Sequence, residues 1–310
     1  MPLTYFTLPD LGLTLTLDKA PKVLSERGIL PAALVHRAAN RRQSVNAATP
    51  SAASPLTTCR RQILLERHLP YGTDPRELWR MDAGTAIHDF LAELDTPGYL
   101  KNVPLPSVED AARFPDFVRI RPDDPEKAEM EFYPGVWMRM ELDAVRLDSD
   151  GRWVEVIDYK SQNYPGDKRQ PDGSYKMNDF GIPKGAPAQL NIYRHAADML
   201  GRGLPGAAVW QVYLGLPKNK PPVLACNYLP LIGYQLWSRM RLDTEVKTFL
   251  TELTHWDHQM KAAPAESDRE AVLAPVPLEG ERLFGGQKCS QYCSSMATCF
   301  RLAGRKSAAC

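Results

Sequence analysis

The chain has 310 residues, of which 44% are hydrophobic and 24% charged, a composition typical of a globular protein with a sizeable core. Its formal net charge of +1 neither requires nor excludes a nucleic-acid partner, because a local basic surface is enough to attract one. No stretch approaches the roughly 20 apolar residues that span a bilayer, and the first residues lack the pattern of a signal peptide. We therefore expect a cytoplasmic protein with no membrane partner.

Residues 1–56 are predicted to be an N-terminal appendage that ends in a flexible linker, since residues 44–54 are rich in Ser, Ala, Asn and Pro. Residues 57–304 are predicted to form one domain. Its first helix runs from about Cys59 to Leu69 and stops at a proline. The basic residues of this helix, whether solvated or in contact with a phosphate backbone, are Arg60, Arg61 and Arg67.

Further elements follow in chain order. A helix is predicted over about residues 83–94, and the Pro-rich, acidic residues 95–128 receive no firm structure. Alternating apolar residues after Glu131, a turn signal at residues 148–151 and a second alternating run at residues 153–160 predict a β-hairpin. A long irregular stretch, residues 161–188, then leads to a helix opened by a proline, two strands and a long amphipathic helix.

The irregular stretch has a composition of its own. Tyr164, Tyr175 and Phe180 alternate with lysines and an arginine, which suits stacking with a single nucleic-acid strand, although three aspartates dilute the charge. We hypothesise that this insertion closes over a threaded strand.

The predicted hairpin carries the strongest chemical signal. Asp158 and Lys160 are two apart on one strand and therefore point the same way, and Asp143 on the neighbouring strand can reach them. Carboxylates are the usual ligands of Mg²⁺ or Mn²⁺, and a lysine beside them can stabilise charge on a phosphate. A surface ion pair between Asp158 and Lys160 is the alternative interpretation.

Two helical features flank the hairpin in sequence. His88 lies on the preceding helix, and Gln189 and Tyr193 are four apart on the following one, so that they share a face. Each is weak evidence alone. Their order along one chain, around Asp143 and Asp158-Tyr159-Lys160, is more informative than any single residue.

In this order the chain resembles the PD-(D/E)XK nuclease superfamily and, within it, the RecB-like exonucleases. The matching runs are Gly84-Thr85-Ala86-Ile87-His88, Leu142-Asp143, Val156-Ile157-Asp158-Tyr159-Lys160 and Gln189-Leu190-Asn191-Ile192-Tyr193. The resemblance implies an α/β fold with a mixed central β-sheet flanked by helices. It also implies that His88, Asp143, Asp158 and the Tyr159 carbonyl bind the metal. Asp143, Asp158, Lys160, Gln189 and Tyr193 would form the catalytic set.

Six cysteines are present, and in a cytosolic protein of this size a cluster of them indicates a metal or iron–sulfur site. Cys289, Cys293 and Cys299 form a triplet within residues 285–304, Cys226 lies in a predicted strand as a small buried side chain, and Cys310 is terminal. The CRISPR-associated RecB-type exonucleases and the AddB nuclease domain are similar in placing one cysteine before the nuclease motifs and three after them. That resemblance implies a 4Fe–4S cluster on Cys59, Cys289, Cys293 and Cys299, which clips the two ends of the domain together. Zinc and unligated thiols are the alternatives.

The sequence therefore predicts a Mg²⁺- or Mn²⁺-dependent deoxyribonuclease, an exonuclease more than an endonuclease, acting on single-stranded or end-resected DNA. Recombination, repair and replication are the expected settings, including those of phage, with a helicase or recombination protein as the expected partner. A non-catalytic nucleic-acid-binding or adaptor protein that keeps the fold is one alternative. A nuclease directed to RNA is another.

Overall fold

The computed structural model describes residues 3–43, 59–93, 96–122, 124–163, 167–169, 175–177, 181–183, 185–215, 223–277, 298–299 and 302. In these residues the strands are β1 (Leu3–Leu8), β2 (Leu13–Thr16), β3 (Tyr71–Thr73), β4 (Tyr99–Leu105), β5 (Val118–Arg121), β6 (Asp124–Tyr133), β7 (Val136–Met138), β8 (Met140–Leu147), β9 (Trp153–Asn163), β10 (Asp167–Arg169), β11 (Tyr175–Met177), β12 (Gly206–Gly215) and β13 (Val223–Pro230). The helices are α1 (Ala20–Glu26), α2 (Ala32–Gln43), α3 (Arg60–His68), α4 (Pro75–Glu93), α5 (Val108–Arg113), α6 (Ala186–Met199), α7 (Arg239–Leu242), α8 (Thr248–Ala262) and α9 (Glu266–Leu273). A π-helical segment, Asp243–Lys247, lies between α7 and α8.

The chain divides into two compact units. The first contains Met1–Pro50, Thr57–Ala83 and Phe249–Cys310, and the second contains Ser51–Leu56 and Gly84–Thr248. These boundaries differ from the sequence-based division into residues 1–56 and 57–304. No helix in the described part of the chain is both long and apolar enough to cross a membrane.

The first unit contains a three-stranded sheet in the order β2-β1-β3, in which β1 is antiparallel to β2 and parallel to β3. Its core joins Phe6 and Leu24 with Leu64 and Leu253, residues that are far apart in sequence. Residues 3–43 were predicted to be part of an appendage, but they contribute to this shared core. Their apolar side chains pack against residues much later in the chain, and β1 pairs with β3. The predicted linker, residues 44–54, lies outside the described residues.

The predicted basic face of α3 is wrong, because Arg60, Arg61 and Arg67 all bind partners within the first unit. Arg61 is only 2% exposed. Its Nη1 donates to the carbonyls of Leu273, Ala274 and Val276 at 2.7, 3.1 and 3.1 Å. These carbonyls end α9, where the helix dipole is negative and favours a cation. Arg61 therefore anchors α9 instead of facing solvent.

The second unit is built on a five-stranded sheet in the order β13-β12-β9-β8-β4. β9 and β12 are parallel and the other neighbouring pairs are antiparallel, so the sheet is mixed. Parallel strands need a crossover, and α6 supplies it between β9 and β12. The predicted mixed sheet with flanking helices is confirmed.

The predicted hairpin is also confirmed as β8 and β9. Its turn is closed by Asp148, whose carboxylate accepts from the backbone N–H of Asp150 and of Arg152, both at 2.9 Å. Gly151 follows with a φ of +76°, which a residue without a Cβ adopts readily. This turn fixes the register that brings Asp143 and Asp158 to the same end of the hairpin.

Residues 95–128, left without structure by the sequence, contain β4, α5, β5 and the start of β6. β4 is an edge strand in which Lys101, Asn102 and Pro104 obscure the apolar alternation, and an edge strand tolerates proline because one side needs no donor. The stretch at residues 161–188 likewise contains the end of β9 and the antiparallel pair β10 and β11. Tyr164 and Phe180 lie outside the described residues.

Candidate active site

The site lies where β8 and β9 separate. Their ladder ends at the pair Ala144 and Ile157, so the next residues on each strand are Asp143 and Asp158. Beyond that point the Tyr159 backbone N–H donates to Asp143 Oδ2 at 2.7 Å. The Asp143 carboxylate thus replaces a ladder carbonyl, which satisfies the N–H while the strands part.

Asp158 is a buried carboxylate, 2% exposed. Burial raises its pKa, the positive charge of Lys160 lowers it, and the negative charge of Asp143 raises it again, with a net rise. Lys160 Nζ lies 2.8 Å from Oδ1 and 2.7 Å from Oδ2, and the first contact is a hydrogen bond. Oδ2 accepts no hydrogen bond from the described residues. A carboxylate buried in this way is costly unless a cation compensates it.

Lys160 is oriented by α6. Gln189 Oε1 lies 3.4 Å from Lys160 Nζ and accepts its hydrogen bond. Gln189 Nε2 in turn donates to the Tyr193 hydroxyl at 2.8 Å, and both side chains are buried. Burial raises the pKa of Tyr193, so its hydroxyl stays protonated and neutral at physiological pH. Gln189, held by Tyr193 four residues later on α6, therefore gives the Lys160 amine a second contact besides Asp158.

His88 lies on α4 and contacts Asp143, with 3.4 Å between Nδ1 and Oδ2. The hydrogen bond to Asp143 raises the pKa of His88 and outweighs the opposing effect of burial. The ring also packs edge-on against Tyr159 at a centroid distance of 6.1 Å. The structure thus brings together all the residues of the predicted metal and catalytic sets, namely His88, Asp143, Asp158, Tyr159, Lys160, Gln189 and Tyr193.

These residues do not converge as a formed metal centre. In the described residues no three His, Cys, Asp or Glu side chains are grouped as ligands of one ion. Asp143 is turned towards the Tyr159 N–H and His88, while Asp158 is turned towards the Lys160 ammonium. The donor chemistry still suits Mg²⁺ or Mn²⁺, which prefer carboxylate oxygens. Asp143 and Asp158 are close enough for the charge of one to affect the pKa of the other, and Asp158 Oδ2 is buried without a hydrogen bond from the described residues. The predicted ligand roles stay predictions.

One polar residue near the site was not predicted. Gln211 on β12 is fully buried and is the cross-strand partner of Lys160. Its Nε2 donates to the Gly181 carbonyl at 2.8 Å, which fixes the chain shortly before α6. In the sequence, Gln211 stands out as a lone polar residue in the apolar run of residues 207–214. Placing it beside Lys160 would have required knowing that β12 is parallel to β9.

The cysteines are divided between described and undescribed parts of the chain. Cys59 and Cys299 are buried in the first unit, and neither is in a disulfide. Cys59 Sγ lies 3.9 Å from the Pro277 carbonyl as a weak donor. Cys289, Cys293 and Cys310 lie outside the described residues. Cys226 is exposed on β13, which corrects the prediction that it is buried.

Comparison with known proteins identifies the class. Residues 108–300 match the PD-(D/E)XK nuclease superfamily, and the chain belongs to that superfamily. Its members are usually phosphodiester-cleaving nucleases. The match contains Asp143, Asp158, Lys160, Gln189 and Tyr193, whereas His88 precedes it. No curated protein and no solved structure gives a match.

Proposed function

We propose that this protein is a metal-dependent deoxyribonuclease, acting as an exonuclease on single-stranded or end-resected DNA. The proposal depends on one observation above all. Lys160 contacts buried Asp158 at the point where β8 and β9 part, and its amine also donates to Gln189 on α6. A surface ion pair would have no need of a buried carboxylate or of a second buried layer behind the lysine.

His88, Asp143, Asp158 and the Tyr159 carbonyl would hold the metal, which is typically Mg²⁺ or Mn²⁺ in this superfamily. When bound, such an ion lowers the pKa of a water molecule and polarises a phosphoryl oxygen. Asp158 contributes Oδ2, which is already desolvated and lies 2.7 Å from the Lys160 ammonium. Asp143 stays oriented by the Tyr159 N–H.

Lys160 is the residue we assign to the reacting atoms. Its ammonium group can donate a hydrogen bond to the attacking water or to a phosphate oxygen, where negative charge increases in the transition state. Gln189 and Tyr193 are positioning residues, because they restrict the amine without themselves carrying charge. This division of roles predicts that loss of Lys160 is far more damaging than loss of either residue behind it.

We further propose a 4Fe–4S cluster on Cys59, Cys289, Cys293 and Cys299, with structural zinc as the alternative. Two observations support a ligand group near Cys59. Cys59 and Cys299 are both buried thiols of the first unit. Arg61, two residues from Cys59, has its Nε and Nη2 buried with no acceptor in the described residues. Four thiolates would supply negative charge and would clip together segments that are distant in sequence.

Recombination, repair or replication in the cytoplasm, beside a helicase or recombination partner, is the setting we propose for this activity. A non-catalytic nucleic-acid-binding role and an RNA-directed nuclease remain the two alternatives. The buried Asp158 opposes the first, because a module that only binds has no use for a carboxylate that is costly to bury.

Purified protein incubated with end-labelled linear DNA, circular DNA and RNA, with Mg²⁺, Mn²⁺ or chelator, tests the proposal. We expect linear single strands to be degraded with either metal, while circles and RNA persist. Lys160→Ala and Asp158→Asn should abolish cleavage. Lys127→Ala is the matched control, because Lys127 also pairs with an aspartate, Asp124, but at the surface of the same unit. Cleavage surviving both active-site changes would refute the catalytic assignment.

A further inference from the structure

One face of the central sheet carries a row of aromatic side chains next to the candidate active site. Trp210 on β12 is the direct cross-strand partner of Tyr159 on β9 and of Tyr228 on β13. Direct partners project from the same face of a sheet. Tyr159, Trp210 and Tyr228 therefore form a row across three neighbouring strands, which we call the aromatic row. At a strand spacing of about 4.8 Å it extends over about 10 Å.

The aromatic row packs on a small buried cluster and remains partly exposed. Tyr159 and Trp210 are partly buried and pack on a small cluster formed by Ala144, Ile157 and Ala208. The Trp210 and Tyr228 rings lie 5.3 Å apart with an interplanar angle of 49°. Tyr228 is 39% exposed. Tyr228 is therefore the most accessible of the three rings, since Tyr159 and Trp210 are partly buried.

Tyr228 is held in place by a buried carboxylate. Its hydroxyl donates to Glu155 Oε1 at 2.6 Å, although Glu155 lies on β9, two strands away. The ring therefore extends across β12 instead of standing upright. Arg146 donates from Nε to Glu155 Oε2 at 3.2 Å, which compensates a carboxylate that is 6% exposed. Burial, followed by the hydrogen bond to Glu155, raises the pKa of Tyr228 to about 12, so this ring carries no charge that would repel phosphate.

The aromatic row begins at the candidate active site. Tyr159 lies between Asp158 and Lys160, and its side chain points to the opposite face of the sheet from theirs. Its backbone N–H binds Asp143, and its ring packs against His88, which itself contacts Asp143. The row therefore lies on the face of the sheet opposite Asp158 and Lys160, and it adjoins the site where the Tyr159 ring packs against His88.

We propose that Tyr159, Trp210 and Tyr228 form a platform on which unpaired bases of a single nucleic-acid strand stack beside the cleavage site. The proposal rests on the nuclease function proposed above and specifies its substrate. Bases of a duplex are stacked on one another and paired, whereas those of a single strand are free to stack on side chains, and every base has a π-face.

Fluorescence anisotropy of a labelled oligothymidine and of a duplex, in chelator so that nothing is cleaved, tests the platform. Trp210→Ala and Tyr228→Ala should each weaken oligothymidine binding about tenfold, within the range for one lost stacking partner. Duplex binding should change less than twofold. Tyr234→Ala is the matched control, since this tyrosine of the same unit is 78% exposed and outside the row. Unchanged binding by both row variants, or equal weakening by the control, would overturn the proposal.

A second measurement uses the unaltered protein, so that it does not depend on the variants folding. Photocrosslinking of a bromouracil-substituted oligonucleotide, followed by peptide mapping, should label Trp210 or Tyr228. The absence of crosslinks, or crosslinks confined to other segments, would refute the platform. So would row variants that change only the self-association of the protein and not its binding of the oligonucleotide. Lys160→Ala distinguishes failure of the proposed nuclease function from failure of the platform. If Lys160→Ala still cleaves, the catalytic assignment is wrong. If it does not cleave but the row variants bind oligothymidine like the wild type, only the platform is wrong.

Discussion

The Asp143 carboxylate accepts a hydrogen bond from the backbone N–H of Tyr159, with 2.7 Å between Oδ2 and N. Asp143 lies one residue, and Tyr159 two residues, beyond the last pair of the β8–β9 ladder, Ala144 and Ile157. The carboxylate that we propose as a metal ligand thus also acts as a backbone acceptor, and substitution can separate these two roles of Asp143.

Asp143→Asn should separate them. Asparagine keeps an oxygen that can accept from Tyr159 but loses the negative charge, so stability should stay close to wild type while cleavage falls about 100-fold or more. Asp143→Ala removes the acceptor as well and should lower the free energy of unfolding by about 1–3 kcal/mol. Urea titrations and single-turnover cleavage measure the two effects. Equal destabilisation by Asn and Ala would show that the amide oxygen of asparagine does not replace the carboxylate as acceptor for the Tyr159 N–H.

Tyr193→Phe tests the layer behind Lys160. The change leaves Gln189 Nε2 buried without its acceptor, so the amide becomes free to rotate away from Lys160. We expect kcat to fall about tenfold, equivalent to about 1.4 kcal/mol, because the amine is less well positioned. KM should be unchanged, since substrate contacts remain. A higher KM with an unaltered kcat would instead place Tyr193 in substrate binding.

The hairpin was predictable from sequence because two local signals agree. The apolar alternation of β8 and β9 and the turn closed by Asp148 together fix which residues meet. The i, i+4 spacing on α6 similarly fixed Gln189 and Tyr193 on one face. Each of these relationships is local, or spans a short turn.

Relationships between distant segments were not predictable in this way. β1 pairs with β3, and Arg61 binds the end of α9 more than 200 residues later, contacts that no local periodicity reports. The aromatic row is a similar case, because it depends on β12 lying between β9 and β13. The mutual orientation of Asp143 and Asp158 was also beyond the sequence, since it is decided by the Tyr159 N–H and the Lys160 ammonium.

The cysteine proposal makes a prediction that does not depend on nuclease activity. Anaerobically purified protein should contain about four iron atoms with a broad visible absorption near 400 nm if the cluster is of the 4Fe–4S type. Cys59→Ser and Cys299→Ser should lose the iron. Cys226→Ser is the control, because this cysteine is exposed on β13 and outside the proposed ligand set. Zinc in place of iron would support the alternative, and metal-free wild-type protein would contradict both.

Asp257 should make the first unit sensitive to acid. Burial alone raises the pKa of this carboxyl, but hydrogen bonds from His68 and Lys261 and the charge of Arg67 outweigh it and hold the pKa well below its usual range. His68 Nε2 lies 2.8 Å from Oδ1. The unfolded state therefore binds the proton at a higher pH than the folded state, so the stabilisation is full above the ordinary aspartate pKa of about 3.9. It is lost as pH falls below that value.

Asp257→Asn should lower the free energy of unfolding by about 3 kcal/mol at pH 7, because Arg67 is left buried without its carboxylate. The deficit should shrink as pH falls below about 4, since the unfolded wild type then binds a proton at Asp257 that the folded state does not, which lowers the stability of the wild type. Asp150→Asn, at an exposed pair with Arg152, is the control and should change stability by less than about 0.5 kcal/mol. Urea titrations between pH 3 and pH 7 measure the difference. A deficit for Asp257→Asn that stays constant across this range would show that the carboxylate charge is not what stabilises the unit.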